Sequence, residues 1–267
     1  PLKLTLKDLT GFEGRCDAIV FSSDPSFVPP NAGEAMAQFR RKALALPDKP
    51  EDAGEFDLVV VGGGMAGTCA ALSAARLGVK VALIQDRPVL GGNNSSEVRV
   101  WLQGSTNHPP FPRIGDLVRE LEPKRRGHPG TADMYEDDKK LSVVEAAENL
   151  SVFLGFRANE VETAGTHLRA VVAQNVLNGR RVRFVGRWFA DCTGDGCIGA
   201  LAGADFEMTL PGHMGPSNLW DVIDTGAPAP FPHCPWAFDM TGKPFPDKLD
   251  QLGKWFWRLL HGDLGTS

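Results

Sequence analysis

The chain has 267 residues, of which 42% are hydrophobic and 23% charged, and its formal net charge is −5. This length and composition predict a globular protein with a sizeable core, and the acidic balance argues against a nucleic-acid partner. No apolar run approaches the roughly 20 residues of a membrane-spanning helix, so no membrane span is expected.

The cysteines and the chain start say little about compartment. The five cysteines are widely spread and include no C-x-x-C pair, so we interpret them as small buried residues and expect neither a metal site nor a disulfide framework. The chain begins at Pro1 without a charged-then-apolar leader, which fits a processed or excised piece of a longer protein. A cytoplasmic location and a periplasmic or secreted one both stay open, as does the oligomeric state.

Residues 1–54 differ in pattern from the rest of the chain. Leu2–Lys7 alternates apolar and polar residues and Asp17–Ser22 is a second strand-like run, which predicts that residues 1–30 are the tail of a β-sandwich-like module. The phrase RCDAIVFSSDPSFVPPN resembles the closing strands of carbohydrate-binding-type sandwiches. Residues 31–54 are predicted to form a helix over Ala35–Leu46 and then a polar linker.

Residues 55–90 have the pattern of a βαβ unit. Asp57–Val61 and Val79–Gln85 are apolar runs typical of buried strands, and Thr68–Leu77 between them predicts a helix rich in small residues. The first turn carries glycines at G-x-G-x-x-G spacing, namely Gly62, Gly64 and Gly67. Such glycines permit a tight turn, a close approach of backbone to a pyrophosphate at the helix N-terminus, and close packing of helix on strand. The unit therefore predicts dinucleotide binding, with a purely structural glycine turn as the alternative.

A second glycine turn and a helical region follow. Gly91–Glu97 consists of glycines and polar residues, and Val98–Leu102 alternates like a short strand. Residues 103–149 are predicted to be an inserted helical and loop region that contributes to substrate binding. Within it, Ile114–Leu121 has helical spacing, and a longer helical stretch ends at Ala147.

Residues 150–210 return to strands. The strand-like runs are Ser151–Gly155, Asn159–Thr163, Leu168–Val176, Val182–Val185 and Arg187–Asp191. Asn178-Gly179 predicts a tight hairpin turn, which makes this region an antiparallel meander. The turn Thr193–Gly196 and a helix over Cys197–Ala202 come next, so a second ligand-facing loop is expected beside the first. Residues 211–267 are rich in Pro, Gly and Trp and are predicted to form a loop-rich substrate or cap region.

Three segments carry a family resemblance. VVVGGGMAGTCAALSAARLG, PVLGGNNSSEV and RWFADCTGDGCIGALAGADF resemble the FAD-dependent oxidoreductases of the glutathione-reductase-like superfamily, in particular an uncharacterised bacterial group. The resemblance implies an α/β fold in which residues 55–102 and 150–210 form a Rossmann-type FAD-binding domain with a β-meander. It also implies FAD as cofactor.

The same resemblance implies which residues contact FAD. The glycine loop would line the pyrophosphate, the end of the second strand would meet the ribose, the double glycine would approach the flavin, and the T-G-D-G turn would hold the ribityl region. The backbone of Val161 would face the adenine, and Asp195 has capping of the following helix as its alternative role. These residues are Gly62, Gly64, Met65, Ala66, Gly67, Gln85, Asp86, Arg87, Gly91, Gly92, Asn93, Val161, Thr193, Gly194, Asp195 and Gly196.

Two departures from the family pattern stand out. The family expects an acid for the ribose hydroxyls at the end of the second strand, where this chain has Gln85 and only then Asp86. A carboxylate bond is worth ~1–2 kcal/mol more than a neutral one, so ribose binding is expected to be weaker or to shift register to Asp86. Arg87 nearby would suit a 2′-phosphate. No late segment that caps the flavin is recognisable after Ala204.

The resemblance implies hydride transfer between flavin and a small organic substrate, which the sandwich-like start suggests is carbohydrate-related. Ser95 and Arg99 follow the double glycine, and they are ranked with His213 as candidates for catalysis. Trp101 is a candidate for stacking on a sugar, although core packing is the default role of tryptophan.

Two rival hypotheses remain open at this stage. An NAD(P)-dependent dehydrogenase would use the same βαβ unit but has no need of the T-G-D-G turn. A non-catalytic flavin-fold module in a polysaccharide-associated protein would keep the fold without the chemistry.

Overall fold

The computed structural model describes residues 3–7, 18–31, 33–104, 108–125, 131–208 and 226. The chain divides into two compact units, residues 1–25 with 221–267 and residues 26–220. In the first unit, the described residues 3–7, 18–25 and 226 are exposed and belong to no helix or strand. The sandwich-like tail over residues 1–30 stays a prediction, and the cap region over 211–267 lies outside the described residues except for Gly226.

The second unit contains the regular structure. Its described strands are β1 Glu51–Val61, β2 Val81–Gln85, β3 Leu150–Leu154, β4 Phe156–Ala164, β5 His167–Asn175 and β6 Arg181–Asp191. Its described helices are α1 Gly33–Ala43, α2 Met65–Arg76, α3 Asp116–Leu121, α4 Asp137–Glu145 and α5 Cys197–Leu201, with a 3₁₀ turn at Ala132–Tyr135. Each of these helices is too short or too polar to cross a lipid bilayer.

The strands form one mixed sheet in the order β3-β2-β1-β6-β5-β4. β3, β2, β1 and β6 are parallel, and β6, β5 and β4 form an antiparallel meander. The predicted Rossmann-type α/β fold with a β-meander is therefore confirmed. Val61 pairs with both Ile84 and Asp191, so β1, β2 and β6 end together at one edge of the sheet.

Both faces of the central strands are buried. Side chains of a strand alternate between faces, and here Val59 and Val61 join one core cluster while Val60 joins the other. The first cluster also contains Phe184 and Phe156 of the meander. The second contains small residues of α2, whose helix can thereby lie close to the sheet. An apolar run without alternation in the sequence thus indicates a strand that is buried by core residues on both faces.

Two local predictions are wrong. β1 begins at Glu51, inside the predicted polar linker, because Glu51 and Asp52 pair with the start of β6 and their side chains stay exposed. The predicted strand Val98–Leu102 is not formed. The Arg99 N–H donates to the Ser95 carbonyl (2.8 Å), and Arg99 has φ +59°, so the chain turns there instead of extending.

The meander turn is built as its sequence predicts. The Asn175 N–H donates to the Arg180 carbonyl (2.7 Å), and the Asn178 side-chain oxygen accepts a bond from the Arg180 N–H (2.9 Å). Gly179 occupies the position with φ +76°, which favours glycine. The hairpin directs β6 back into the sheet next to β1.

Candidate functional site

A cleft of about 610 Å³ lies where β1, β2 and β6 end. Crevices at the carboxyl edge of parallel strands are the usual ligand sites of such sheets. Three turns that are far apart in sequence converge on it. The predicted site residues that line the cleft are Gly62, Gly64, Met65, Ala66, Gln85, Asp86, Arg87, Gly91, Gly92, Asn93, Thr193, Gly194 and Asp195.

The glycine loop after β1 needs its glycines for different reasons. At Gly62, where φ is +101°, a Cβ would lie 2.3 Å from the Cys192 carbonyl oxygen, so β6 leaves no room for a side chain. At Gly67 a Cβ would lie 1.8 Å from the Gly62 carbonyl oxygen, so α2 is in contact with the loop backbone. Gly64 has nothing within 4 Å of its would-be Cβ and lines the cleft. Gly67 is a packing position, whereas Gly64 faces open space.

Gln85 braces the glycine loop. Its side-chain oxygen accepts a bond from the Gly63 N–H (2.8 Å), and its side-chain nitrogen donates to the Val89 carbonyl (3.1 Å). The residue is buried, and both ends of its amide are engaged with backbone. The neighbouring Asp86 is partly exposed at the cleft, and its carboxylate is 3.8 Å from the Arg157 guanidinium.

The double-glycine loop, residues 91–99, packs directly on the first glycine loop. The Gly91 N–H donates to the Gly63 carbonyl (2.8 Å), and a Cβ at Gly92 would lie 3.0 Å from the Gly64 Cα. Gly91 and Gly92 have φ of +106° and +60°. The backbones of the two glycine loops are therefore in direct contact at the cleft, and their close approach leaves little room for a side chain at Gly92.

Asn94 has an unsatisfied acceptor in the cleft wall. Its side-chain nitrogen donates to the Val100 carbonyl (3.2 Å), while its side-chain oxygen is buried without a hydrogen-bond partner among the described residues. Asn94 is 2% exposed and lines the cleft. The sequence prediction included Asn93, which also lines the cleft, and did not single out Asn94, because adjacent asparagines in a turn carry no sign of which one is buried.

The T-G-D-G turn is held by Asp191, which the sequence prediction also missed. One carboxylate oxygen of Asp191 accepts bonds from the Thr193 N–H (3.1 Å) and hydroxyl (2.7 Å). The other oxygen accepts bonds from the N–H groups of Ile198 (2.7 Å) and Gly199 (2.9 Å) at the start of α5. Asp191 therefore performs the capping that the sequence assigned to Asp195 as its alternative role. Asp195 itself is exposed at the cleft.

We expect Asp191→Asn to lower the free energy of unfolding at pH 7 by about 1–2 kcal/mol, because an amide NH₂ would face two backbone N–H donors. Partial burial raises the pKa of Asp191, but bonds from Gly199, Thr193 and Ile198 together hold that pKa below its ordinary value of 3.8. The carboxylate thus stabilises the fold fully above that ordinary value and less as the pH falls through the folded-state pKa.

Urea unfolding of wild type and Asp191→Asn at pH 7 and at pH 3 measures this contribution. The difference between the two proteins should shrink at pH 3, which lies below the ordinary aspartate pKa of 3.8, because the unfolded wild-type chain binds a proton there more readily than the folded one. An equal difference at both pH values would show that the charge of Asp191 is unimportant.

Other predicted site residues lie away from the cleft. Val161 packs against the first core cluster, and the start of β4, Phe156–Ala158, lines the cleft in its place. Gly196 has φ +66° and precedes α5. The sequence prediction began β4 three residues late, at Asn159 instead of Phe156, and Val161 does not line the cleft.

The catalytic candidates serve the loop itself. The Ser95 hydroxyl donates to the Gly92 carbonyl (2.7 Å), and the residue is 1% exposed. The Arg99 side chain donates to the Ser96 carbonyl (3.0 Å). Neither residue lines the cleft. His213 lies outside the described residues.

Comparison with known proteins gives one family match. A family model described as "FAD dependent oxidoreductase" matches residues 57–218, which is more than half of the chain. The matched range begins in β1 and includes all three turns at the cleft.

Individual relatives match over shorter segments. The chain is 40% identical over 72 residues to a soluble pyridine nucleotide transhydrogenase of Ectopseudomonas mendocina (strain ymp), covering 23% of this chain and 15% of that protein. It is 44% identical over 64 residues to a fumarate reductase (cytochrome) of Shewanella frigidimarina, covering 24% of this chain and 11% of that protein. The crystal structure of Thermovibrio ammonificans THI4 is similar at 21% identity and a TM-score of 0.40, covering 57% of this chain and 64% of that one. The matched segments thus span only a small part of the curated relatives' length.

Proposed function

This chain belongs to the FAD dependent oxidoreductase family, and we propose that the cleft at the ends of β1, β2 and β6 binds FAD for oxidation or reduction of a small organic substrate. Membership confirms the resemblance carried by the three motifs. The observation that supports the proposed site most strongly is the convergence of those motifs on one cleft.

The glycine loop fits a pyrophosphate. Gly64 presents backbone to the cleft with no neighbouring atom where a side chain would project. α2 begins directly after it, and a 12-residue helix offers N–H groups and a partial positive charge at its N-terminus. Gln85 accepts the Gly63 N–H bond and thereby helps to hold the shape of the loop. These features support Gly62–Gly67 as the phosphate-binding segment.

The unsatisfied oxygen of Asn94 also fits a bound cofactor. A buried acceptor without a donor costs about 1–3 kcal/mol, and such atoms in native structures call for an explanation. FAD carries hydroxyl and N–H donors along its ribityl chain and ring. We propose that one of these donors, directly or after a small side-chain rotation, satisfies Asn94.

Two carboxylates at the cleft suit the sugar hydroxyls of FAD. Asp86 follows β2, and its carboxylate is 3.8 Å from the Arg157 guanidinium, so it can accept a hydrogen bond from a ribose hydroxyl. Gln85 is less suited to that role because its side-chain oxygen already accepts a bond from the Gly63 N–H. Asp195 is exposed in the T-G-D-G turn and is proposed to accept bonds from the ribityl hydroxyls. Both sit where the sequence expected cofactor contacts.

The NAD(P) hypothesis has less support. Recognition of a 2′-phosphate by Arg87 would compete with its ion pair to Glu97 (2.7 Å). That pair raises the pKa of Arg87, first through the hydrogen bond and then through the charge of Glu97. The T-G-D-G turn closes the same cleft, which a simple nicotinamide domain does not require. We therefore favour FAD.

A second cavity supports the proposed substrate class. It measures about 540 Å³, shares Trp101, Leu102 and Gln103 with the proposed FAD cleft, and is also lined by Arg119 and Glu122. FAD supplies a two-electron acceptor when bound. An indole offers an apolar face to sugar C–H groups, while amide, guanidinium and carboxylate groups suit hydroxyls. We propose a carbohydrate-related substrate, a sugar or polyol, that Trp101 and its neighbours orient.

The visible spectrum of the purified chain, before and after addition of FAD, tests the proposal. Bound flavin should show structured absorbance bands that remain after desalting, and sugars or polyols, compared with amines, should bleach them in the absence of oxygen. A chain that is colourless and takes up no added FAD would contradict the proposal and favour the non-catalytic module. A chain that binds FAD but is bleached by none of these compounds would contradict the substrate class alone.

A further inference from the structure

The helical insert contacts the double-glycine loop through three side chains that no motif singled out. They are Tyr135 of the 3₁₀ turn and Asp137 and Lys140 of α4, and together they are called the clamp here. Lys140 is 0% exposed and is among the largest fully buried side chains of the described residues. A lysine is almost never buried unless its charge is paired, so its position calls for a reason.

Lys140 lies against Gly91. A Cβ at Gly91 would lie 3.1 Å from the Lys140 Cδ and Cε atoms, so the aliphatic part of the lysine side chain packs next to Gly91. The Lys140 ammonium donates to the Tyr135 carbonyl and is 3.5 Å from an Asp137 carboxylate oxygen. Burial lowers the pKa of Lys140, and Asp137 opposes that shift. The Lys140 ammonium thus contacts both other clamp residues next to the double-glycine loop.

Asp137 and Tyr135 bond the backbone of the same loop. The Asp137 carboxylate accepts from the Ser96 N–H at 3.1 and 3.3 Å. The Tyr135 hydroxyl donates to the carbonyl of Arg99. Arg99 has φ +59°, a strained conformation for a residue with a side chain, which persists only where its surroundings impose it. The clamp therefore contacts the loop at its start, middle and end.

We infer that Tyr135, Asp137 and Lys140 are positioning residues that hold the double-glycine loop in the form that receives FAD. The inference rests on the proposed function. The sequence predicts that the insert, residues 103–149, contributes to substrate binding, and the inference gives part of it a role in cofactor binding instead. Gly91 and Gly92 pack on Gly63 and Gly64, so a shift of the loop would displace the phosphate-binding backbone as well. A fully connected polar network defines one geometry more sharply than apolar packing, which tolerates small slides.

The test compares Lys140→Met with Lys139→Met. Lys139 is the adjacent residue of α4, and its ammonium donates to the Glu122 carbonyl (2.7 Å) instead of joining the clamp. Lys140→Met should weaken FAD binding at least tenfold in a fluorescence titration, whereas Lys139→Met should change it less than twofold. Equal FAD affinities for Lys140→Met and wild type would overturn the inference.

Tyr135→Phe provides a second variant in case Lys140→Met does not fold. It keeps the ring and removes only the hydroxyl that bonds Arg99. Hydrogen–deuterium exchange without FAD should be at least tenfold faster for the amides of residues 94–99 than in wild type, with the β1 and β2 amides unchanged. Unchanged exchange of the loop would overturn the inference. Because this readout needs no cofactor, it separates failure of the clamp from failure of wild type to bind FAD.

Discussion

Gly67→Ala is expected to lower the free energy of unfolding by about 3 kcal/mol or more, enough to unfold much of a marginally stable domain. The added Cβ would lie 1.8 Å from the Gly62 carbonyl oxygen and 3.0 Å from the Cys192 Cβ. The closest obstacle is backbone and cannot rotate away. α2 would have to move off β1, and the small residues that bury the Val60 face would lose their contacts.

Urea unfolding followed by circular dichroism measures this effect, and Ser73→Ala is its matched control. Ser73 is exposed on the same helix, and alanine is the better helix former, so the control should be neutral or slightly stabilising. If Gly67→Ala unfolded at the same urea concentration as Ser73→Ala, the close contact between α2 and the glycine loop would be wrong.

The βαβ unit and the meander were predictable because their signals are local. Val59, Val60 and Val61 are consecutive apolar residues, and only a strand covered on both faces buries all three. Asn178-Gly179 defines its own hairpin through backbone and side-chain bonds within six residues. In each case, the residues that form the structure are neighbours in sequence.

The bracing of the site was not predictable because its partners are distant in sequence. The sequence offers only Asp195 as a cap for α5, whereas the pairing of β6 with β1 places Asp191 where it can reach the N–H groups of α5. Lys139 and Lys140 are indistinguishable in sequence, yet only Lys140 is fully buried, because α4 turns that face toward Gly91. Gln85 looked like a weak ribose ligand, and only the fold reveals the two backbone groups that it bridges.

This contrast has a physical origin. Hydrophobic periodicity reports which face of an element is buried, without saying which polar group will lie opposite. Polar contacts such as those of Gln85 with Gly63 and of Asp137 with Ser96 join segments that are far apart in sequence and adjacent only in the fold. The motif glycines mark where a ligand can approach, and the residues that hold those glycines in place are scattered along the chain.

Gly64→Ala is expected to weaken FAD binding by about 100-fold, or ~2.8 kcal/mol, with little loss of stability. Gly64 has φ −63° and ψ 176°, which alanine adopts readily, and nothing in the described structure lies within 4 Å of the added methyl group. The free energy of unfolding of the cofactor-free chain should therefore change by less than about 1 kcal/mol. The methyl group would project into the cleft, where it would meet a bound ligand.

Flavin-fluorescence titration and urea unfolding of the same preparation measure the two effects separately. Wild-type affinity in Gly64→Ala would show that the pyrophosphate lies elsewhere, whereas a stable apoprotein that no longer binds FAD would separate the packing role of Gly67 from the binding role of Gly64.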